Sequence, residues 1–260
     1  MAKGAFVNAS EIKSRLSELA RAYAPELVAD ELADVARQLF HVGLVMRHVG
    51  TGGNVCDVGG GVGLFSLGCT AAGFKATLVD DFRDDVNARH GEGALALHAK
   101  LGVSIVRCDV TAQALPLAPA SFDAVTSFDS IEHWHGGVSR ALRSMLNALK
   151  PGGLFLLGAP NCVNLRKRLT VPFGRGKWSG FEEWFEPEVF RGHVREPDVG
   201  DFKRIARELK LTRVAVFGRN WQGLKSRSGI VRTCTLLADW PLRLFPSMCS
   251  DLYLLGFRAG

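Results

Sequence analysis

The chain is expected to fold as an α/β protein, with a mostly parallel sheet and helices on both faces. Three observations carry that expectation. Short apolar runs of strand character alternate with runs of helical spacing from residue 54 to residue 258. The run Asn54–Val58 enters a turn with glycine at 59, 60, 61 and 63, and an apolar helix over about Val62–Ala72 follows. A strand that opens through bare backbone into a helix start gathers N–H groups at one point, which suits an anionic or carboxylate group. The composition agrees: 260 residues, 47% hydrophobic and 22% charged, are enough for one large domain with a substantial core.

In order, residues 1–50 read as an N-terminal helical cap. Helical spacing runs from about Ala9 to Val49 with a break at Ala24-Pro25, and Asn8 with Glu11 resembles a capping pair. Thr51–Gly53 is a turn into the domain proper, residues 51–260. Strand two is Lys75–Val79, after Gly73. A helix covers about Glu92–Leu101 and stops at Gly102, and strand three is Val103–Arg107. Strand four is Phe122–Phe128, after the proline-bearing loop Leu115–Pro119. A helix over Val138–Leu149 is ended by Lys150–Gly153, because proline breaks a helix and glycine admits the turn. Strand five is Leu154–Ala159. The stretch from Pro160 to Pro197 is irregular and rich in aromatic and basic residues, and 161–197 is expected to cover the acceptor side as a lid. A helix over Val199–Leu209 and strands over Thr212–Gly218 and Leu252–Arg258 complete the set.

The net charge is +6. Arg166, Lys167, Arg168, Arg175 and Lys177 lie between Asn161 and Gly180 with no acid among them. Such a run suits nucleic acid, an anionic membrane surface or an acidic substrate, or it serves solubility alone. No apolar run approaches the ~20 residues that span a bilayer. Met1–Ser10 lacks the apolar core of a signal peptide. The cysteines at 56, 69, 108, 162, 234 and 249 form no C-x-x-C pair and read as buried thiols of a reducing compartment, so a cytoplasmic location is expected.

Glycine spacing narrows the ligand. A dinucleotide fingerprint, G-x-G-x-x-G, needs glycine where Leu64 or Ser66 stands, which disfavours an NAD-type oxidoreductase. The pattern present is D-x-G-x-G-x-G, from Asp57 through Gly59, Gly61 and Gly63. Asp80 ends strand two, 21 residues after Gly59, where a carboxylate can accept from both hydroxyls of a ribose. Asp81 shares that task or caps the turn. Asp109 follows strand three in Val106–Val110; its carboxylate can accept from an exocyclic amine or bond its own backbone.

These residues, with the run from Asp109 to Leu115-Pro116 and with Ser121-Phe-Asp123, resemble the class I S-adenosylmethionine-dependent methyltransferases. The resemblance covers about Asn54 to Leu211. It implies a Rossmann-like, mostly parallel sheet of seven strands in the order 3-2-1-4-5-7-6, the last antiparallel, and S-adenosylmethionine as methyl donor. It also implies that Asp57, Gly59, Gly61 and Gly63 hold the methionine tail, Asp80 the ribose and Asp109 the adenine. Val110 and Phe128 complete the candidate cofactor set.

Ser127–His133 resembles the E-x-x-E-H segment of small-molecule O-methyltransferases of the ubiquinone-biosynthesis type, with Asp129 in place of the first glutamate. His133 is a candidate general base, since imidazole titrates near neutral pH. Resemblance to some members also makes Asp129, Glu132 and His133 a candidate divalent-metal set; a structural Glu-His pair is the alternative. His135 reads as surface. His193, in Arg191–Glu196, is a second candidate base, with Arg195 a candidate substrate anchor; ordering of the loop is the alternative for His193. The [DN]-P-P-[FYW] segment of base-amino methyltransferases is absent, and Cys162 does not directly follow a proline, so nucleic acid is disfavoured. Ala159-Pro-Asn161 again resembles small-molecule enzymes. Phe173, Trp178, Phe181, Trp184 and Phe185 form a lid over an apolar or lipid-linked acceptor, touch a membrane face, or simply pack.

The expected function is methyl transfer to a small-molecule hydroxyl. An oxidoreductase and a non-catalytic cofactor-binding partner protein are the alternatives.

Overall fold

The computed structural model describes residues 8–175 and 179–260; Lys177 and Trp178 of the basic and aromatic run lie outside them. Two helices, α1 (Ala9–Ala20) and α2 (Pro25–Val49), come first. The Asn8 side chain accepts from Ser10 N, Pro25 starts α2 where its missing N–H costs nothing, and Gly50 ends it at φ 86°. Then follow β1 (Asn54–Val58), α3 (Phe65–Ala71), β2 (Lys75–Asp80), α4 (Asp85–Lys100), β3 (Ser104–Arg107) and β4 (Phe122–Phe128). A single 3-10 turn, Ile131–His133, precedes α5 (Val138–Ala148) and β5 (Leu149–Pro160). The chain continues through α6 (Leu165–Thr170), α7 (Phe181–Phe185), α8 (Val199–Glu208), β6 (Thr212–Arg219), α9 (Trp221–Leu224), α10 (Gly229–Arg243) and β7 (Asp251–Phe257).

The sheet has the order β3-β2-β1-β4-β5-β7-β6. The pairs β1/β2, β1/β4, β2/β3 and β4/β5 are parallel; β5/β7 and β6/β7 are antiparallel. Side chains alternate between two cores, as the pleat requires. Val55, Leu154 and Leu156 enter one core with Ile12, Leu16, Val42 and Val45 of α1 and α2. Cys56, Val58, Phe155 and Leu157 enter the other with Leu142 and Met145 of α5 and Phe202 of α8.

Several elements differ from expectation. β5 starts at Leu149, because Leu149 pairs with Phe122 before the register shifts and Leu154 pairs with Ala124. Lys150–Gly153, expected as a turn, is the irregular stretch between those pairings, with Gly152 at φ 73°. α4 starts seven residues earlier than expected, at Asp85 rather than Glu92. The region expected to be irregular holds α6 and α7, and α9 and α10 fill the span before β7.

β1 and β4 are neighbours whose connections leave in opposite directions along the sheet, so a crevice opens at their carboxyl ends, where open α/β sheets place ligands.

Candidate active site

The glycine turn is built by close approach. Gly59 and Gly61 have φ of 71° and 54°. A Cβ on Gly59 would lie 1.9 Å from Ser130 Oγ, and one on Gly60 would lie 2.1 Å from Asp57 Oδ2. Only glycine lets β4's exit loop and the β1 carboxylate sit this near. Gly59 N donates to Val79 O at 2.7 Å, and Gly61 N donates to Asp80 Oδ2 at 2.9 Å. The helix itself begins only at Phe65, so residues 59–64 form a loop.

Asp57 is buried and accepts from Ser66 Oγ at 3.0 Å. Burial pushes its carboxyl up to about 7, with Asp80 adding and Ser66 opposing. An ammonium group beside it would reverse that shift. Asp80 accepts from Phe82 N at 2.7 Å as well as from Gly61 N, and burial raises its carboxyl. Asp81 Oδ1 accepts from Arg83 N, which is the turn-capping role, and its Oδ2 lies 3.8 Å from Arg191 Nη1. Asp109 Oδ1 accepts from Thr111 Oγ1, Thr111 N and Ala112 N; the Thr111 hydroxyl leads in holding this carboxyl low. Val110 is buried beside it. Phe128 stacks on His41 at 3.9 Å and meets Phe65 edge-on at 5.0 Å. All these candidate residues line one cleft of about 1390 Å³. That exceeds the ~300–1,000 Å³ typical of a pocket for one small ligand, so there is room for two molecules.

The other half of the cleft lies past β4. Asp129 sits there at φ 48°, in the left-handed region that a non-glycine residue rarely occupies. Its carboxylate pairs with Arg37 of α2, which also holds Asp34 through two bonds of 2.8 and 2.9 Å. Asp129 is therefore turned toward α2, and the alternative set of Asp129, Glu132 and His133 does not assemble.

His133 and His193 do come together, sixty residues apart in the chain, with ring centroids 4.6 Å apart and planes at 86°. His133 Nδ1 donates to Arg191 O at 2.7 Å. His193 Nδ1 donates to Glu196 Oε1 at 2.9 Å, and Glu196 is itself ion-paired with buried Lys167. Both Nδ1 atoms thus carry protons, and in the neutral imidazole the lone pair then lies on Nε2. Burial holds the His133 imidazole below its ordinary value. Glu132 stands beside them, 1% exposed, and neither carboxylate oxygen has a hydrogen-bond partner among the described residues. Burial pushes its carboxyl well up, and Asp129 adds to the push.

Several expectations need correction. Arg195 does not reach the cleft; it binds both oxygens of Asp201 near the α8 start. Lys167 is buried against Glu196 rather than part of a basic surface. His135 is exposed, as expected, though at the cleft's rim. Phe173, Phe181, Trp184 and Phe185 are exposed, so simple packing does not explain them. α7 gives the cleft Glu182 and Glu183, and the residue that caps its end, Glu186, joins them. Sequence reasoning missed Glu31, Asp34 and Arg37, because α2 reads only as a helix with an apolar side, and it missed Lys225, which follows α9 and reaches Asp34 from far along the chain. Glu196 was within reach, as the acid three residues after His193.

A family model described as a methyltransferase domain matches residues 21–216. Solved structures share the fold. A Thermotoga maritima S-adenosylmethionine-dependent methyltransferase, described as a possible histamine N-methyltransferase, aligns at TM-score 0.54 and 16% identity over 90% of this chain and 96% of that one. A Mesorhizobium loti S-adenosylmethionine-dependent methyltransferase aligns at 0.57 and 18% over 88% and 100%. Haemonchus contortus phosphoethanolamine N-methyltransferase 2, in complex with S-adenosylmethionine, aligns at 0.55 and 18% over 85% of this chain and 53% of that one. The chain belongs to the methyltransferase-domain family, and its cofactor is S-adenosylmethionine.

Proposed function

We propose that this protein transfers a methyl group to a hydroxyl of a polar small molecule, activated at Glu132, His133 and His193. The residues on the β1/β2 side fit the cofactor. Asp57 is a buried carboxylate with no ion pair among the described residues, behind a loop that excludes side chains, as an amino-acid tail requires. Asp80 and Asp109 stand at the ends of the next two strands for the ribose and the adenine. When bound, S-adenosylmethionine supplies a methyl group on a sulfonium sulfur, ready for a nucleophile.

The carrying observation is the pair of imidazoles with both Nδ1 protons engaged and both Nε2 lone pairs unused beside the cleft. A hydroxyl must lose its proton to become a good nucleophile, and these are the groups placed to remove it. The carboxylates of Glu182, Glu183 and Glu186 supply acceptors for further hydroxyls of the same molecule. The chain's other task is to align the acceptor and keep water out, which contributes through positioning rather than bonding.

Incubation with labelled cofactor and host extract, followed by mass identification of the labelled product, tests the reading. An O-methyl product is expected. His133→Ala and His193→Ala should each cost roughly 10²–10⁴ in kcat at saturating cofactor, the usual worth of a proton-transfer group. Full turnover by both variants would remove the two imidazoles from the chemistry.

The same acidic rim favours a second reading, methyl transfer to a cationic amine. An N-methyl product would establish it in place of the first.

A further inference from the structure

We propose that α10 and the α6 segment form a docking surface for an anionic lipid bilayer, on the edge of the sheet where the cleft opens. The inference goes beyond the acceptor reading and does not depend on it.

α10 is an amphipathic helix turned inside out. Its protein-facing side holds Thr235, Ala238 and Asp239. Asp239 is buried, accepts from Asn220 Nδ2 at 2.9 Å and pairs with Arg243. On the opposite side Ile230, Leu237 and Leu244, the last at the C-terminal cap, recur at close to two turns and so form one stripe. Trp240 adjoins it, and all four are exposed, Trp240 to 71%. Arg232 stands one turn before exposed Leu236 and flanks the stripe. A helix that turns its polar side to the protein and its apolar stripe to solvent suits the boundary of a bilayer, with leucine and tryptophan toward the acyl chains and arginine toward the headgroups. α10 has 15 residues, and no helix among the described residues is long and apolar enough to cross a membrane, so it would lie in the interfacial plane.

α6 extends the same surface. β5 and β6 are each antiparallel to β7, so they run in one direction, and α6 after β5 leaves the same edge of the sheet as α9 and α10 after β6. The two regions meet at the turn Pro246–Met248, where Asn161 Nδ2 donates to Ser247 O at 3.0 Å. Leu169, Val171 and Phe173 are exposed there, Phe173 to 82%. The cleft opens at this edge too, lined by Lys225 from between α9 and α10.

Charge names the occupant. Arg166, Arg168 and Arg175 are exposed, and no acid lies between Asn161 and Gly180. From Trp221 to Ser250 the sole acid is Asp239, against Lys225, Arg227, Arg232 and Arg243. Lys225 binds Asp34 and Arg243 binds Asp239, which leaves Arg227 and Arg232 with no ion pair among the described residues. A two-fold contact between copies would set these cations against one another, whereas anionic headgroups neutralise them. α7 stands outside the surface despite its exposed aromatics, because Glu182, Glu183 and Glu186 would be repelled by the same headgroups.

The test is co-sedimentation of the full-length protein with vesicles of equal phosphatidylglycerol and phosphatidylcholine, and with vesicles of phosphatidylcholine alone. Saturable binding to the first and weak binding to the second are expected, with affinity falling as salt rises. The double variant Ile230→Ser, Leu237→Ser should lose about tenfold or more in affinity, since both side chains leave water only on the bilayer. Arg166→Gln and Arg232→Gln should each lose roughly fivefold at low salt. Val214→Ser, an exposed apolar residue near the start of β6 at the other edge of the sheet, should leave binding intact. Unchanged melting temperature in solution checks that each variant is folded. Folded wild-type protein that ignores the anionic vesicles overturns the proposal. So does equal binding by wild type and the α10 double variant, or binding that is indifferent to lipid charge. A dimer in solution that the double variant splits, with no vesicle binding by wild type, overturns it in favour of a second copy. Vesicle binding is read without methyl transfer, so its failure leaves the acceptor reading standing.

Discussion

Asp80 is bonded by its own surroundings: Gly61 N on one oxygen and Phe82 N on the other. Each carboxylate oxygen has a further lone pair, so these bonds orient the group without exhausting it. Asp80→Ala would remove both the proposed ribose partner and the tie that holds the glycine turn. Cofactor affinity by calorimetry should fall by tenfold or more, the equivalent of about 1.4 kcal/mol. Unchanged affinity would take Asp80 out of the site. The glycines were legible as the turn that leaves β1 and Asp80 as the residue that ends β2, each from the local pattern of one strand and its exit. The pairing of His193 with His133 was not legible. It arises because the chain beyond α7 folds back over the end of β4, where Val194 N donates to the Glu132 carbonyl at 2.8 Å.

Among the elements, α2 does more than cover the sheet. Its Arg37 bridges Asp34 on the same helix and Asp129 on the strained exit of β4, and Lys225 beyond α9 reaches Asp34 at 2.5 Å. Burial alone would raise the Asp34 carboxyl, but Arg37 and Lys225 outweigh it and bring it from 3.8 to about 2. A carboxyl held low in the folded state binds fewer protons there than in the unfolded chain at acid pH. Its contribution, on the order of 2 kcal/mol, is therefore complete above about pH 4 and lost as the pH falls toward 2. Arg37→Leu should lower the melting temperature at neutral pH, with a gap from wild type that narrows between pH 4 and pH 2. A gap independent of pH would show that Arg37 acts by packing alone. None of this was visible in the α2 sequence, where an arginine on a helix reads as a solvated charge. α10 was missed for a different reason. Ile230 and Leu237 are 78% and 79% exposed, so its apolar residues do not mark a buried face.

At the scale of the whole molecule, alternation of strands and helices yields only a parallel α/β sheet, and the strand order came from family resemblance. The β5/β7/β6 end is the least periodic in sequence, because β7 is buried along its whole length and shows no alternation. No helix among the described residues is long and apolar enough to cross a membrane, and all six cysteines are free.

The contact between Arg191 and Asp81, at 3.8 Å, joins the segment before His193 to the tip of β2. It spans the mouth between the two halves of the cleft like a latch, and both partners are partly solvated, so it is weak and screened by salt. Departure of the spent nucleoside would then have to wait for the latch to lift, and turnover at saturating substrates would rise with ionic strength. Arg191→Ala should lose that salt dependence and speed escape of the by-product in stopped-flow traces. An identical escape rate in variant and wild type would mean the exit is ungated.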